Sequence, residues 1–121
     1  MDNQIKQALE QDQTIDITTT GRKSGQPRRL EIWFHNLEGR LYITGLPGRR
    51  DWYANLKAHP QFTFHLKESI QADLPATARA IETEVERRAV FSRLLPKLDR
   101  MADLEAWLER SPLVEVRLAV G

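Results

Sequence analysis

Cysteine is absent from all 121 residues. That removes disulfides, thiolate nucleophiles and cysteine-ligated metals, and it accords with a reducing compartment. Charge of one sign is not in excess either. Eighteen Lys and Arg stand against seventeen Asp and Glu, for a formal net charge of +1, so no global field draws nucleic acid or an anionic membrane to the chain. No apolar run approaches the ~20 residues of a membrane-spanning helix, and Met1 to Gln13 is polar where a secretory signal needs an apolar stretch. The expectation is a cytoplasmic protein with no integral membrane association and no nucleic-acid partner. His35, His59 and His65 lack both His-x-x-x-His spacing and cysteine companions, so no metal site is expected. Repeats, low-complexity tracts and Pro/Gly/Ser-rich linkers are missing too, and residues 1–121 are expected to form one domain.

What is present is alternation. Ile15, Ile17 and Thr19 alternate with Asp16, Thr18 and Thr20, and Leu30, Ile32 and Phe34 alternate with Arg29, Glu31, Trp33 and His35. Both patterns have the period of a half-buried strand. Asn36 to Gly39 reads as a hairpin turn into a third strand at Leu41 to Thr44, and Phe62, Phe64 and Leu66 mark a fourth. Ile70 to Ile81 is extended by pattern, with Pro75 pointing to an edge or a bulge. Val114, Val116, Leu118 and Val120 form a last strand. Helical spacing appears at Ile5, Ala8 and Leu9, at Trp52, Tyr53 and Leu56, at Phe91, Leu94, Leu95 and Leu98, and at Leu104, Trp107 and Leu108. Thr83 and Glu86 have capping-box spacing, and Pro96 ends or kinks the helix that follows. About six antiparallel strands with three or four flanking helices exclude a βαβ layout, which needs long crossovers. A mainly β (α+β) small closed or split barrel fits.

Two basic loops stand out. Gly21-Arg22-Lys23-Ser24-Gly25-Gln26-Pro27-Arg28 combines two glycines, which free the backbone for anion-binding geometry, with three cations and a hydroxyl. The competing reading is a solvated turn whose charges serve solubility. Gly45-Leu46-Pro47-Gly48-Arg49-Arg50 repeats the combination just before a helix, whose first N–H groups and dipole favour an anion. Antiparallel pairing around the hairpin puts both loops at one end of the sheet, as one cleft. Trp33, Trp52 and Tyr53 could edge a planar ring there, although Trp52 and Tyr53 could equally pack the helix onto the barrel. Glu82, Glu84 and Glu86 suit a helix N-terminus, and Arg87, Arg88, Arg93, Lys97 and Arg100 read as a solvated helix face.

Thr18-Thr19-Thr20-Gly21-Arg22-Lys23-Ser24-Gly25-Gln26-Pro27-Arg28, followed by Gly48 and by Trp52-Tyr53-Ala54-Asn55-Leu56-Lys57-Ala58-His59-Pro60, resembles the deazaflavin-dependent nitroreductase family, also called the F420H2-dependent quinone reductase family. The resemblance is carried by Ile15 to Leu66. It implies a split β-barrel of the pyridoxamine-phosphate-oxidase-like, flavin-binding kind, with F420 (deazaflavin) or FMN as cofactor. Arg22, Lys23, Ser24, Gly25 and Arg28 would then contact the phosphorylated tail, and Thr44, Gly45, Leu46, Pro47, Gly48 and Trp52 would lie near the ring. The loop from Leu46 to Asp51 is shorter than in the nitroreductase branch, and no Tyr follows Tyr53. The implied activity is hydride transfer to a small-molecule acceptor such as a quinone, enone or nitroaromatic. Solvent, Tyr53 or Thr44 would supply any proton, and no catalytic side chain is assigned. A non-catalytic carrier of the same cofactor is the alternative. Related barrels often dimerise with the cofactor at the interface, which makes a homodimer part of the expectation.

Overall fold

The computed structural model describes residues 2–119, and Val120 of the expected last strand lies outside them. The order along the chain is α1 (Asn3–Gln11), β1 (Thr14–Thr20), β2 (Pro27–Leu37), β3 (Arg40–Thr44), α2 (Asp51–Ala58), β4 (Gln61–Leu66), β5 (Ala72–Ala80), α3 (Glu84–Leu94), α4 (Leu104–Arg110) and β6 (Leu113–Leu118). All six strands pair antiparallel and close into a barrel in the order β1-β2-β3-β6-β5-β4. This is the expected split-barrel class.

The period of two decides which side chains fill the barrel. Ile15, Ile17 and Thr19 of β1 and Phe62, Phe64 and Leu66 of β4 are buried, and Phe34 and Phe64 meet edge to face at 5.3 Å between ring centres. Asp2 caps α1 by accepting hydrogen bonds from the Gln4 and Ile5 N–H groups, and the helix buries Ala8 and Leu9 against the barrel. The β2–β3 turn is tighter than Asn36 to Gly39. Leu37 is still in β2, and Glu38 (φ 54°) and Gly39 (φ 91°) make the two-residue turn that a right-twisted hairpin favours.

β2 pairs with β1 along Pro27 to Trp33 but with β3 only along Phe34 to Leu37. Its first half therefore overhangs β3 and has no strand on that side.

Three expectations need correction. Pro75 is neither on an edge strand nor in a bulge, because β5 runs regularly between β4 and β6. The Pro75 carbonyl accepts the Ala119 N–H at 2.9 Å, and a strand residue turns its N and its C=O to the same side. The missing N–H thus points at Ala119, one residue past the end of β6, so the proline forgoes only the reciprocal bond at the last pair and interrupts no ladder within β6. The capping box at Thr83 is half made. The Thr83 hydroxyl accepts from the Glu86 N–H, while the Glu86 carboxylate binds Arg79 with both oxygens instead of reaching back.

Arg87 is the third correction, being buried rather than solvated. It donates to the carbonyls of Ile81, Leu108, Trp107 and Ser111 and lies over the Phe91 ring. It joins α3 to α4 across a second core of Leu37, Tyr42, Ile81, Phe91, Leu94 and Trp107.

Candidate functional site

The turn between β1 and β2 is built by its own backbone. The Gly21 N–H donates to the Gln26 carbonyl, the Gly25 N–H to the Gly21 carbonyl, and the Gln26 N–H to Ser24 Oγ at 3.1 Å. Gly25 sits at φ 70°, which L side chains resist. A Cβ on Gly21 would stand 2.5 Å from Ser24 Oγ, so the glycine is what lets the serine fold inward. The Lys23 and Ser24 N–H groups have no backbone partner among the described residues. Two free donors are thus surrounded by the exposed side chains of Arg22, Lys23 and Arg28.

Asn55 in α2, which the sequence reading passed over, holds this turn in place. Its Oδ1 accepts the Arg22 N–H at 3.0 Å and its Nδ2 donates to Thr19 Oγ1 at 3.4 Å, all from a buried position. The clue available in the sequence was its place three residues after Trp52 and next to Leu56, on the face that α2 turns to the barrel.

A depression of about 420 Å³ opens beside the turn, walled by Arg22, Lys23, Arg28, Leu30 and Trp52. A second, of about 550 Å³, is walled by Arg22, Arg49, Asp51, Tyr53 and Lys57. The two share Arg22 and Asp51, whose side chains approach to 3.7 Å. The two basic loops do converge, then, but as adjoining depressions joined through α2 rather than as one cleft of paired strands.

The other expected site residues fall into groups. Trp33 and Leu46 are the outlying apolar members, 51% and 53% exposed. Trp33 lies on the overhanging part of β2, and Leu46 follows β3 just past the end of the β2–β3 pairing. Gly45, Pro47 and Gly48 form the loop itself, with Gly48 at φ 136° and its N–H bonded to the Arg110 carbonyl.

Two members of the expected set have other work. The Thr44 hydroxyl is buried and donates to the Pro112 carbonyl, so it is neither a free proton source nor a ring contact. The Arg50 guanidinium donates to the Leu46 and Arg49 carbonyls and braces its own loop, leaving it no free fork for a phosphate. Trp52 is mostly buried in the barrel core, against Tyr53 at 5.9 Å, with only one edge on the first depression. Asp51 stands in the first turn of α2, where its carboxylate already interacts favourably with the helix dipole and lowers the pull on a further anion.

His65 lies away from this region, on the outer face of the sheet. Its Nε2 is 2.7 Å from Thr18 Oγ1 and its Nδ1 is 2.7 Å from the Asp73 carboxylate, which that hydrogen bond holds below the usual carboxylate range. His35 is buried enough that its imidazole is pushed down to about 4 and stays neutral near pH 7. No group of three or more His, Cys, Asp or Glu positioned for a metal occurs among the described residues. No helix among them is long and apolar enough to cross a membrane.

Comparison with known proteins gives the site a context. The family model described as F420H(2)-dependent quinone reductase matches residues 1–118. Among solved structures, one described as an F420-H2 dependent reductase is 24% identical, covering 88% of this chain and 95% of its own, with a TM-score of 0.64. A FAD-binding protein from Mesorhizobium loti is 12% identical over 99% of this chain and 91% of its own, with a TM-score of 0.75. A third, described as a domain-swapped dimer, is 22% identical over 95% of both chains at a TM-score of 0.60. At these identities the structural likeness is one of fold.

Proposed function

The chain belongs to the F420H(2)-dependent quinone reductase family, and from that premise we propose that the turn after β1 anchors the phosphate of its cofactor while the β2 overhang receives the ring. It is an oxidoreductase, and its cofactor is F420. The donor set suits that group. The free N–H groups of Lys23 and Ser24 and the cations of Arg22, Lys23 and Arg28 match a phosphate in charge and in hydrogen-bond sense.

The observation that carries the proposal is the continuity of this turn with the unpaired half of β2. Along a strand with no neighbour, alternate residues leave an N–H and a C=O free, which suits the polar edge of a planar heterocycle. Trp33, Leu46, Leu30 and the exposed edge of Trp52 supply apolar surface for its faces. When bound and reduced, the cofactor supplies a hydride, and the acceptor is a small electron-poor molecule such as a quinone, enone or nitroaromatic. The protein's part is to bind the tail, orient the ring and exclude water. Tyr53 is the one hydroxyl of the expected pair still free to give a proton, since Thr44 is committed.

The test mixes the purified protein with reduced F420 and a panel of quinones and nitroaromatics, following the deazaflavin absorbance, with FMN titrated in parallel. Turnover with F420 supports the proposal. Binding of F420 with no turnover on any acceptor would leave a carrier, and preferential binding of FMN would refute the cofactor assignment. Sedimentation with and without F420 tests whether this chain, like the neighbour described as a domain-swapped dimer, self-associates.

A further inference from the structure

On the outer face of the barrel, β1, β4 and β5 bring a hydroxyl, an imidazole and a carboxylate into line. Thr18 Oγ1 is 2.7 Å from His65 Nε2, and His65 Nδ1 is 2.7 Å from Asp73 Oδ1. The strand register fixes all three. His65 is directly opposite Asp73 across β4 and β5, and diagonal to Thr18 across β1 and β4. Opposite residues share a face of the sheet, and His65 is only 7% exposed, so its ring has little freedom to turn away.

The direction of the hydrogen bonds follows from the carboxylate. Asp73 is held below the usual carboxylate range, chiefly by the His65 hydrogen bond. An ionised carboxylate only accepts, so Nδ1 carries the proton and Nε2 of the neutral ring accepts from the Thr18 hydroxyl. A hydroxyl within reach of a base that a third group orients is the arrangement of an activated nucleophile. Thr18 itself is half buried, and the side chains beside it are open to solvent, Asp73 at 76% and Arg29 at 56% exposure. Arg29 is directly opposite Thr18 on β2. Its Nε donates to Asp16, while its two Nη groups have no partner among the described residues. Lys67, the other cation on this face, is committed to Asp16 and Glu31.

We propose that Thr18 is a nucleophile, with His65 as its base and Asp73 as the positioning residue, and that it takes an acyl group from a small acyl phosphate whose phosphate meets Arg29. The Thr18 oxygen bonds to the acyl carbon, the bond from that carbon to the phosphate oxygen breaks, and phosphate leaves with the electron pair. The hydroxyl proton passes to His65 Nε2 and from there to the departing phosphate. Nothing is oxidised or reduced, and the product is an ester on the chain. Thr18 has a ladder partner on both sides, which leaves no free backbone N–H for an oxyanion hole. The site is therefore one of self-modification rather than of rapid turnover. It does not depend on the cofactor assignment.

The experiment incubates the full chain with acetyl phosphate, and with p-nitrophenyl acetate as an uncharged donor, and maps the acetyl groups by mass spectrometry. Hydroxylamine separates an ester, which it cleaves, from acetyl-lysine, which it leaves. A hydroxylamine-labile acetyl group at Thr18 is the expected result. Thr18→Val abolishes it, and Thr18→Ser, which keeps the hydroxyl and the bond to His65, retains it. His65→Gln slows labelling with both donors by about a hundredfold or more. Arg29→Gln slows it about tenfold with acetyl phosphate and leaves the uncharged ester within about twofold. Asp73→Asn slows both donors by roughly tenfold or more and removes the far-downfield Nδ1 proton resonance of His65, which Thr18→Val keeps. Labelling confined to lysines, phosphorylation of Thr18 in place of acylation, or an unchanged rate in His65→Gln overturns the proposal.

Discussion

Replacing Asn55 by Ala tests whether the phosphate turn is held in place from beneath. The substitution removes the acceptor of the Arg22 N–H and the donor to Thr19 Oγ1. A part-buried N–H left unpaired costs up to the ~1–3 kcal/mol of a buried one, and the lost hydrogen bond to Thr19 adds up to about 1 kcal/mol. The sum of about 1–4 kcal/mol is inside the ~5–15 kcal/mol stability of a small protein, so the variant folds with a lower urea midpoint. The functional effect is separate. A turn no longer tied to α2 must be ordered by its ligand, which weakens F420 binding by roughly fivefold or more.

Asn55→Asp supplies the contrast, since Oδ1 still accepts from Arg22 while a carboxylate now lies beneath the cations. For charges about 6–8 Å apart at an effective dielectric of about 20, repulsion of a bound phosphate amounts to about 2–3 kcal/mol, or on the order of a hundredfold in affinity. Urea denaturation and equilibrium cofactor binding, both at pH 8, read the two effects. If the Ala variant loses stability yet binds F420 with the wild-type dissociation constant, the turn does not depend on α2 and the reasoning is wrong.

Arg87→Met deletes a buried cation and leaves the carbonyls of Ile81, Leu108, Trp107 and Ser111 without their donor. Destabilisation of about 3–5 kcal/mol is expected in urea, with cofactor affinity intact in the folded fraction; a loss below about 1 kcal/mol would contradict the role. His35 is depressed from 6.5 to about 4 by burial, so the fold favours its neutral form. Its contribution is complete above pH 6.5 and is lost as pH falls toward 4, at most about 3 kcal/mol, and His35→Gln should flatten the stability profile in that window. An unchanged slope would assign it to other groups. Trp33→Ala should change stability by less than about 0.5 kcal/mol because the ring is half exposed, yet weaken F420 binding several-fold. The reverse pattern would make Trp33 a packing residue.

Much of the barrel was legible because its strands are half buried and obey a period of two, as at Ile15, Ile17 and Thr19 or Phe62, Phe64 and Leu66. The turn after β1 was legible as a turn because Gly21, Gly25 and Pro27 interrupt the alternation, while its composition alone fitted a solvated loop as well as an anion site. What was hidden depends on partners distant in sequence. Arg87 sits among acids and other arginines, and only the docking of α4 turns it inward. Arg50 and Arg49 are neighbours in the same loop, but one braces the loop and the other does not, a difference set by where the Leu46 carbonyl falls. Thr44 alternates like any strand residue until β6 places the Pro112 carbonyl beside it. The overhang of β2 escaped because strand length was read from one pattern, whereas its consequence depends on β3 ending early.

The central claim is that the turn from Gly21 to Arg28 holds the cofactor's phosphate. Its most direct test is the dissociation constant of F420 for the double variant Arg22→Ala with Lys23→Ala, measured beside the urea midpoint. Both side chains are exposed, so the midpoint should stay within about 0.5 kcal/mol of wild type. Loss of two charge-assisted contacts should weaken binding by about 3 kcal/mol or more, roughly a hundredfold. An affinity within about twofold of wild type, in a protein that is still folded, would show that the phosphate is held elsewhere.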